Sequence, residues 1–137
     1  MDRKDLQQLS RVRLREAKAL LNEGFFDGAY YLAGYAVECA LKACVAKETR
    51  RYEFPDKKRA ELSYTHSPRA LAKLAGLESE QVERGKKDPV FQKHWEAVES
   101  WTEQSRYGRH SQESARKLIG AINDKNHGII SWIRLHW

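Results

Sequence analysis

The sequence predicts an all-α protein, an up-and-down bundle of four main helices and one short helix. Apolar residues recur at helical spacing in four long segments. No run alternates polar and apolar side chains for more than a few residues, as a half-buried strand would, and no internal repeat is visible. The chain has 137 residues, of which 41% are hydrophobic. That size suits one hydrophobic core, so we expect a single domain over residues 1–137.

The first two main helices are predicted at Asp5–Asn22 and Asp27–Lys47, separated by a turn at Gly24. The second helix has apolar side chains on most of its faces, which predicts burial against several neighbours. Its small residues would let those neighbours approach closely, and they are Gly28, Ala29, Ala33, Gly34, Ala36 and Ala40. The longest apolar segment overlaps this helix but contains three charged residues, which argues against a membrane span.

The segment Glu48–Thr65 is rich in charged residues and is predicted to be a loop. Ser67 and Pro68 then supply the N-cap and first-turn proline of the short helix, which is expected to end near Leu74.

The last two main helices also begin at capping residues. Asp88 and Pro89 open the third, which is expected to end near Ser105. Ser111 is the predicted N-cap of the fourth, whose isoleucines face inward, and Gly128 is expected to bend it.

The composition favours a cytoplasmic protein with an anionic partner. Lysine and arginine outnumber aspartate and glutamate by 25 to 19, and the net charge of +6 suits nucleic acid or a phosphorylated ligand. The N-terminal sequence is polar where a signal peptide would be apolar. Cys39 and Cys44 do not have the spacing of a CxxC pair, so buried free thiols are expected. No histidine pair has metal-ligand spacing and no phosphate-binding loop is present, so neither a metal nor a cofactor is predicted.

Glu38 is the first candidate functional residue, because no other Asp, Glu, Lys, Arg or His lies between Asp27 and Lys42. A carboxylate buried in this apolar helix needs partners. One interpretation is an ion pair with Lys42, one turn along, completed by the hydroxyl groups of Tyr31 and Tyr35. The other is that Glu38 orients an arginine or histidine that the last helix brings to it.

The segment Arg106–His110 is the second candidate, since a guanidinium and an imidazole stand four positions apart. Arginine binds phosphate through a planar fork of donors, and histidine exchanges protons near neutral pH. Together they could cleave an RNA phosphodiester without a metal: histidine would move the proton of the 2′-hydroxyl or the leaving oxygen, and arginine would stabilise charge on the phosphoryl oxygens. The alternative interpretation is a set of solvated charges at the start of a helix.

Three segments together resemble a prokaryotic HEPN domain. They are GAYYLAGYAVECALKA at 28–43, THSPRALAKLAGL at 65–77 and WTEQSRYGRH at 101–110. The resemblance covers nearly the whole chain. The sequence is similar to the HEPN half of nucleotidyltransferase/HEPN pairs. It implies a helical bundle that usually dimerises, with the start of the last long helix at a cleft on the dimer axis. It also implies RNA-directed biology, because many members are metal-independent endoribonucleases and many small ones form toxin–antitoxin pairs with a nucleotidyltransferase.

The resemblance also assigns roles to residues. Active members carry an arginine followed, after four to six intervening residues, by a histidine. Arg106 and His110 match them in residue type and position, with three residues between them, one fewer than the family minimum. Glu38 corresponds to the acidic position of the second helix that faces both, so these three are the expected catalytic residues. Residues expected to bind the nucleotide or RNA are Arg109, Tyr107, Lys42 and Tyr35. Arg59 and His66 have the longer family spacing, but they lie before the short helix and their spacing is interpreted as a chance match.

The first functional hypothesis is therefore an HEPN-like homodimer that binds or cleaves RNA or a nucleotide, as the toxin-like partner of a nucleotidyltransferase. The second is a non-catalytic helical dimer that binds a protein or a nucleotide through aromatic residues, which are Tyr31, Tyr35, Trp101 and Tyr107. A third is a structural dimer in which Arg106 and His110 only cap helices. Cleavage of RNA in EDTA separates the first hypothesis from the other two.

Overall fold

Helices α1 (Arg3–Asn22) and α2 (Phe26–Arg51) form an antiparallel pair that supports the rest of the chain. Gly24 makes the turn between them at φ 84°, a conformation that glycine adopts without steric cost. The hydroxyl of Ser10, buried on α1, donates a hydrogen bond of 2.7 Å to the carbonyl of Ala36 on α2. This bond fixes the two helices against each other near their midpoints.

The structure is a computed structural model that describes residues 1–51 and 57–137. The elements that follow α2 are shorter helices. In chain order they are α3 (Lys57–Leu62), α4 (Pro68–Leu74), α5 (Glu78–Lys87), α6 (Pro89–Glu99), a 3-10 segment (Glu103–Tyr107), α7 (Gln112–Asn123) and α8 (Ile129–Arg134). The first three predicted main helices correspond to α1, α2 and α6, the fourth to α7 and α8 together, and the predicted short helix to α4. The described residues contain no strand, and the predicted all-α fold is confirmed.

The predicted helix starts at Ser67, Asp88 and Ser111 are confirmed. Each of these side chains accepts a hydrogen bond from the backbone N–H three residues further on, at 3.0–3.2 Å. Such caps satisfy backbone donors that have no partner inside the helix, and they depend only on neighbouring residues. Local sequence was therefore enough to place these boundaries.

The predicted loop over Glu48–Thr65 is wrong for most of its described residues, and only the last three of these lie outside helices. Helix α2 continues to Arg51, and α3 occupies Lys57–Leu62. Residues 52–56 lie outside the described residues. Glutamate, lysine and arginine are good helix formers, so a high density of charge did not by itself predict a loop.

Two further boundaries differ from the sequence prediction. Helix α6 ends at Glu99 instead of near Ser105, because the chain turns there and carries Trp101 into the core. Helix α5 was not predicted, since its residues are mostly charged and show no apolar stripe.

The last predicted helix is interrupted between α7 and α8, where a bend was expected at Gly128. A Cβ atom on Gly128 would lie 2.0 Å from the carbonyl oxygen of Asp124. The backbone approaches itself so closely here that only glycine fits, and the helix restarts at Ile129.

The hydrophobic core surrounds α2, as its composition predicted. Alanines of α2 are fully buried against neighbouring elements, and they are Ala29, Ala33, Ala36, Ala40 and Ala43. At Gly34 the approach is closest, since an added Cβ would lie 2.3 Å from ring atoms of Trp101. On the other side of the core Trp132 meets Phe91 and Trp95 edge to face, at ring-centroid distances of 5.4 and 6.0 Å.

Asp88 joins the start of α6 to the segment between α7 and α8. Besides capping α6, its carboxylate lies 2.7 Å from His127 Nδ1 and 3.2 Å from Arg84 Nη2. Beside it, Asp124 lies 3.1 Å from His94 Nε2. The hydrogen bond from His127 is the main cause that lowers the pKa of Asp88 from 3.8 to about 2.

The Asp88→Asn variant tests this ion pair through the pH dependence of stability. Because the pKa of Asp88 is lower in the folded chain, its ionised form stabilises the fold above about pH 4 and the contribution is lost as the pH falls toward 2. Asparagine still caps a helix but carries no charge. In urea unfolding, we expect the wild type to be more stable than the variant at pH 5 and the difference to vanish near pH 2. The same difference at both pH values would contradict this assignment.

Candidate functional site

A buried carboxylate lies at the centre of the candidate site. Glu38, in the middle of α2, is 2% exposed. Its Oε2 lies 3.4 Å from Nζ of Lys42, and its Oε1 lies 2.8 Å from Nδ1 of His66. These partners compensate the carboxylate for the water it has lost. The predicted ion pair between Glu38 and Lys42 is confirmed.

His66 connects this carboxylate to the surface. It precedes Ser67, the N-cap of α4, so the start of α4 holds it in place. Its Nε2 lies 3.2 Å from Oε2 of Glu103, on the 3-10 segment. Both ring nitrogens of His66 thus face carboxylate oxygens.

Arg106 ends this series of contacts at the protein surface. Glu103 Oε1 lies 3.9 Å from Arg106 Nη2, one turn along the 3-10 segment. The guanidinium stands 4.7 Å above the ring of Tyr107, whose hydroxyl, followed by Glu103, raises the pKa of Arg106. We call the series Lys42–Glu38–His66–Glu103–Arg106 the ion-pair chain. It runs from the interior to an exposed guanidinium, and each of its two carboxylates lies between two nitrogen-bearing side chains.

His110 lies in a second group of residues, at the start of α2. Its ring stacks on Tyr30 with centroids 3.8 Å apart and planes 12° apart. Its backbone N–H donates to Asp27 at 2.5 Å, and its Nε2 lies 3.3 Å from the carbonyl oxygen of Ser105. If Nε2 donates to that carbonyl, Nδ1 carries the lone pair and is free to accept a proton. These contacts hold the half-buried imidazole in one orientation.

Arg109 and His110 border a groove of about 380 Å³ between the α1–α2 turn and the segment before α7. Phe25 lies on the same groove and is 63% exposed. A cation, an imidazole and an exposed aromatic ring are the groups that bind the phosphates and bases of single-stranded nucleic acid.

The structure brings together only some of the predicted site residues. Glu38 meets Lys42 but not His110, because His110 stacks on Tyr30, eight residues and about 12 Å of helix away from Glu38. The histidine that reaches Glu38 is His66, and it comes from the segment before α4, not from the last helix.

The aromatic residues of α2 are also arranged differently from the prediction for Glu38. Tyr35 stacks on Tyr31 at 6.1 Å, and Tyr31 stacks on Trp101 at 6.0 Å. The hydroxyl of Tyr35 interacts with the thiol of Cys39. His66 therefore takes the place that the sequence assigned to tyrosine hydroxyl groups.

His66 is the residue that sequence reasoning missed. Arg59, with which it shares the family spacing, donates instead to Thr49 Oγ1 at 3.0 Å. The local signal that could have drawn attention to His66 is its position directly before Ser67, the N-cap of α4. Its pairing with Glu38 joins residues 28 positions apart and could not be read from spacing.

The cysteines, the metal-binding residue types and the apolar helices are further features of the sequence that bear on function. Cys39 and Cys44 are buried free thiols, as predicted, and burial raises their pKa values to about 11 and about 12. Within residues 1–51 and 57–137, no group of histidine, cysteine and acidic side chains could hold a metal ion. Over the same residues, no helix has the length and apolar character that crossing a membrane requires.

The fold and this site define an all-α protein with a polar, partly cationic surface along the first half of its central helix. The HEPN domain family model matches residues 4–125 of the chain. No curated protein and no solved structure gives a significant match. The chain belongs to the HEPN family, and this membership indicates a function related to RNA or nucleotides in general.

Proposed function

We propose that this HEPN protein binds single-stranded RNA and cleaves it without a metal ion, with Arg106 and His110 as the catalytic residues. The observation that carries the proposal is the fixed imidazole of His110, which is held by Tyr30 and Ser105 and borders the same groove as the exposed Arg109. Arg106, also exposed, lies four residues before His110 in the chain. An oriented histidine that acts together with guanidinium groups can bind a phosphodiester and move a proton at it.

In the proposed reaction, His110 Nδ1 accepts the proton of the 2′-hydroxyl as the 2′-oxygen attacks phosphorus. The new oxygen–phosphorus bond replaces the bond to the 5′-oxygen, which leaves with a proton returned by the imidazolium. Arg106 stabilises the negative charge on the two non-bridging oxygens through its planar donors. The products are a 2′,3′-cyclic phosphate and a 5′-hydroxyl end, and no metal takes part.

The other predicted residues have supporting roles in this proposal. Tyr107 is 73% exposed and offers its ring to a base, while Arg109 binds a neighbouring phosphate. Glu38 and Lys42 act at a distance, since they hold His66 and through it Glu103. Tyr35 supports the ring of Tyr31 instead of touching RNA directly.

We extend the proposal to the protein's assembly. We expect this single domain to act in the cytoplasm as a homodimer and as the toxin-like partner of a nucleotidyltransferase, because the sequence is similar to HEPN proteins of that kind. Size-exclusion chromatography with light scattering, and co-purification with the product of a neighbouring nucleotidyltransferase gene, test these two statements separately.

The direct test is incubation of the purified protein with a 5′-labelled single-stranded RNA in excess EDTA. We expect cleavage products ending in a 2′,3′-cyclic phosphate. Binding of the RNA without any cleavage would contradict the catalytic proposal and favour the alternative, a non-catalytic nucleotide-binding module. The partly exposed rings of Tyr31 and Tyr35, which the buried ring of Trp101 supports, are the observation that favours this alternative, because such rings can stack on bases without chemistry.

A further inference from the structure

The carboxylate of Glu103 stands between two groups that ordinarily bind phosphate. One oxygen lies 3.2 Å from Nε2 of His66, and the other lies 3.9 Å from Nη2 of Arg106. A carboxylate presents two negatively charged oxygens to these donors, as a phosphodiester presents its two non-bridging oxygens. Glu103 therefore lies between an imidazole and a guanidinium, where a phosphate could also lie.

The three side chains differ sharply from Glu38 in their access to solvent. The side chains of His66, Glu103 and Arg106 are 41%, 35% and 46% exposed, whereas that of Glu38 is 3% exposed. Glu38, which is itself paired with Lys42, holds His66 from the interior, so this contact of the imidazole remains if Glu103 turns away. Glu103 is on a short surface segment and can exchange its partners for water at little cost.

We propose that Glu103 is an internal competitor for RNA phosphate, and that His66 together with Arg106 forms the phosphate site that it occupies. The inference rests on the proposed RNA-binding function and adds a regulated site to it. When a phosphate displaces Glu103, His66 Nε2 and the Arg106 fork become its donors. The negative charge of Glu103 then opposes binding, because like charges lie side by side.

The Glu103→Gln variant tests this proposal by binding alone. The probe is a fluorescein-labelled 2′-O-methyl RNA oligonucleotide, which lacks the attacking hydroxyl and so cannot be cleaved by the proposed reaction. We expect fluorescence anisotropy to show about tenfold tighter RNA binding for Glu103→Gln than for the wild type. Inorganic phosphate is added as a competitor of the oligonucleotide. The matched control is Glu83→Gln on α5, which removes the same charge from an exposed pair with Lys86 and should leave the affinity unchanged.

The His66→Gln change in the Glu103→Gln background shows whether the gain belongs to this site. We expect most of the gain to disappear, because the phosphate loses the imidazole, while glutamine keeps a donor for Glu38. Equal tightening by Glu83→Gln, no tightening by Glu103→Gln, or a gain that survives His66→Gln would each overturn the proposal.

The same data separate this inference from the proposed function. RNA cleavage by the wild type with no tightening in Glu103→Gln would remove the competitor role and leave the catalytic proposal intact. Tighter binding by Glu103→Gln in a protein that never cleaves RNA would support the phosphate site and remove the catalysis.

Discussion

Replacement of His110 by alanine is expected to lower the rate constant of RNA cleavage in EDTA by about 10²- to 10⁴-fold, the usual contribution of a positioned general acid or base. The imidazole owes its orientation to stacking on Tyr30 and to its contact with the carbonyl of Ser105. Alanine keeps neither the proton acceptor nor the stacked ring. Single-turnover cleavage of a 5′-labelled RNA, measured with enzyme in excess, gives the rate constant of the chemical step without a contribution from product release.

The matched control for this variant is His136→Ala. His136 pairs with Glu80 and meets Trp132 edge to face, away from the 3-10 segment. This variant should cleave RNA at the wild-type rate. It is purified in the same way as His110→Ala, so the two preparations can be compared directly. If His110→Ala also cleaves at the wild-type rate, His110 has no catalytic role.

Arg106→Lys complements the histidine variant. Lysine keeps the positive charge but loses the planar fork that contacts two phosphoryl oxygens at once. We therefore expect Arg106→Lys to lose most of the cleavage rate while it retains part of the RNA affinity. Full activity in this variant would show that only the charge matters.

Replacement of Gly34 by alanine is expected to lower the free energy of unfolding by about 1–3 kcal/mol, the range for overpacked cores. The new Cβ would lie 2.3 Å from several atoms of the Trp101 ring, which is itself buried. Alanine has the higher helix propensity by about 1 kcal/mol, so a net loss of stability means that the clash exceeds this gain. Urea unfolding followed by circular dichroism measures the change.

Gly120→Ala provides the matched control for this prediction. Gly120 lies within α7, and an added Cβ there has no atom within 4 Å. The substitution should raise the free energy of unfolding by about 0.5–1 kcal/mol, because only the helix propensity changes. If Gly34→Ala stabilised the protein as Gly120→Ala does, the close packing of Trp101 on α2 would be disproved.

Much of the fold could be predicted because its signals are local. The caps at Ser67, Asp88 and Ser111 depend only on neighbouring residues. The small residues of α2 predict close packing, although they do not identify the element that packs there. The missed helix α5 has one face that packs and a sequence that is nearly all polar, so its stability comes from contacts that the sequence does not display.

The candidate site was harder to predict because its contacts are tertiary. The pairing of Glu38 with Lys42 follows from one helical turn and was found. The pairing of Glu38 with His66 depends on where α4 lies against α2, and the position of His110 over Tyr30 depends on where the chain crosses the start of α2. Residue types were sufficient to nominate Arg106 and His110, but geometry was needed to see that different neighbours hold them.

Trp101 has a consequence for how this protein would tolerate change. Its ring is wedged against Gly34, and two residues later the chain begins the stretch that bears Glu103 and Arg106. The chain thus attaches an exposed guanidinium to a tightly packed point of the core. A mutation that loosens the packing of Trp101 would displace Glu103 and Arg106 before it unfolds the protein. We therefore expect core substitutions near Trp101 to weaken the proposed RNA binding first.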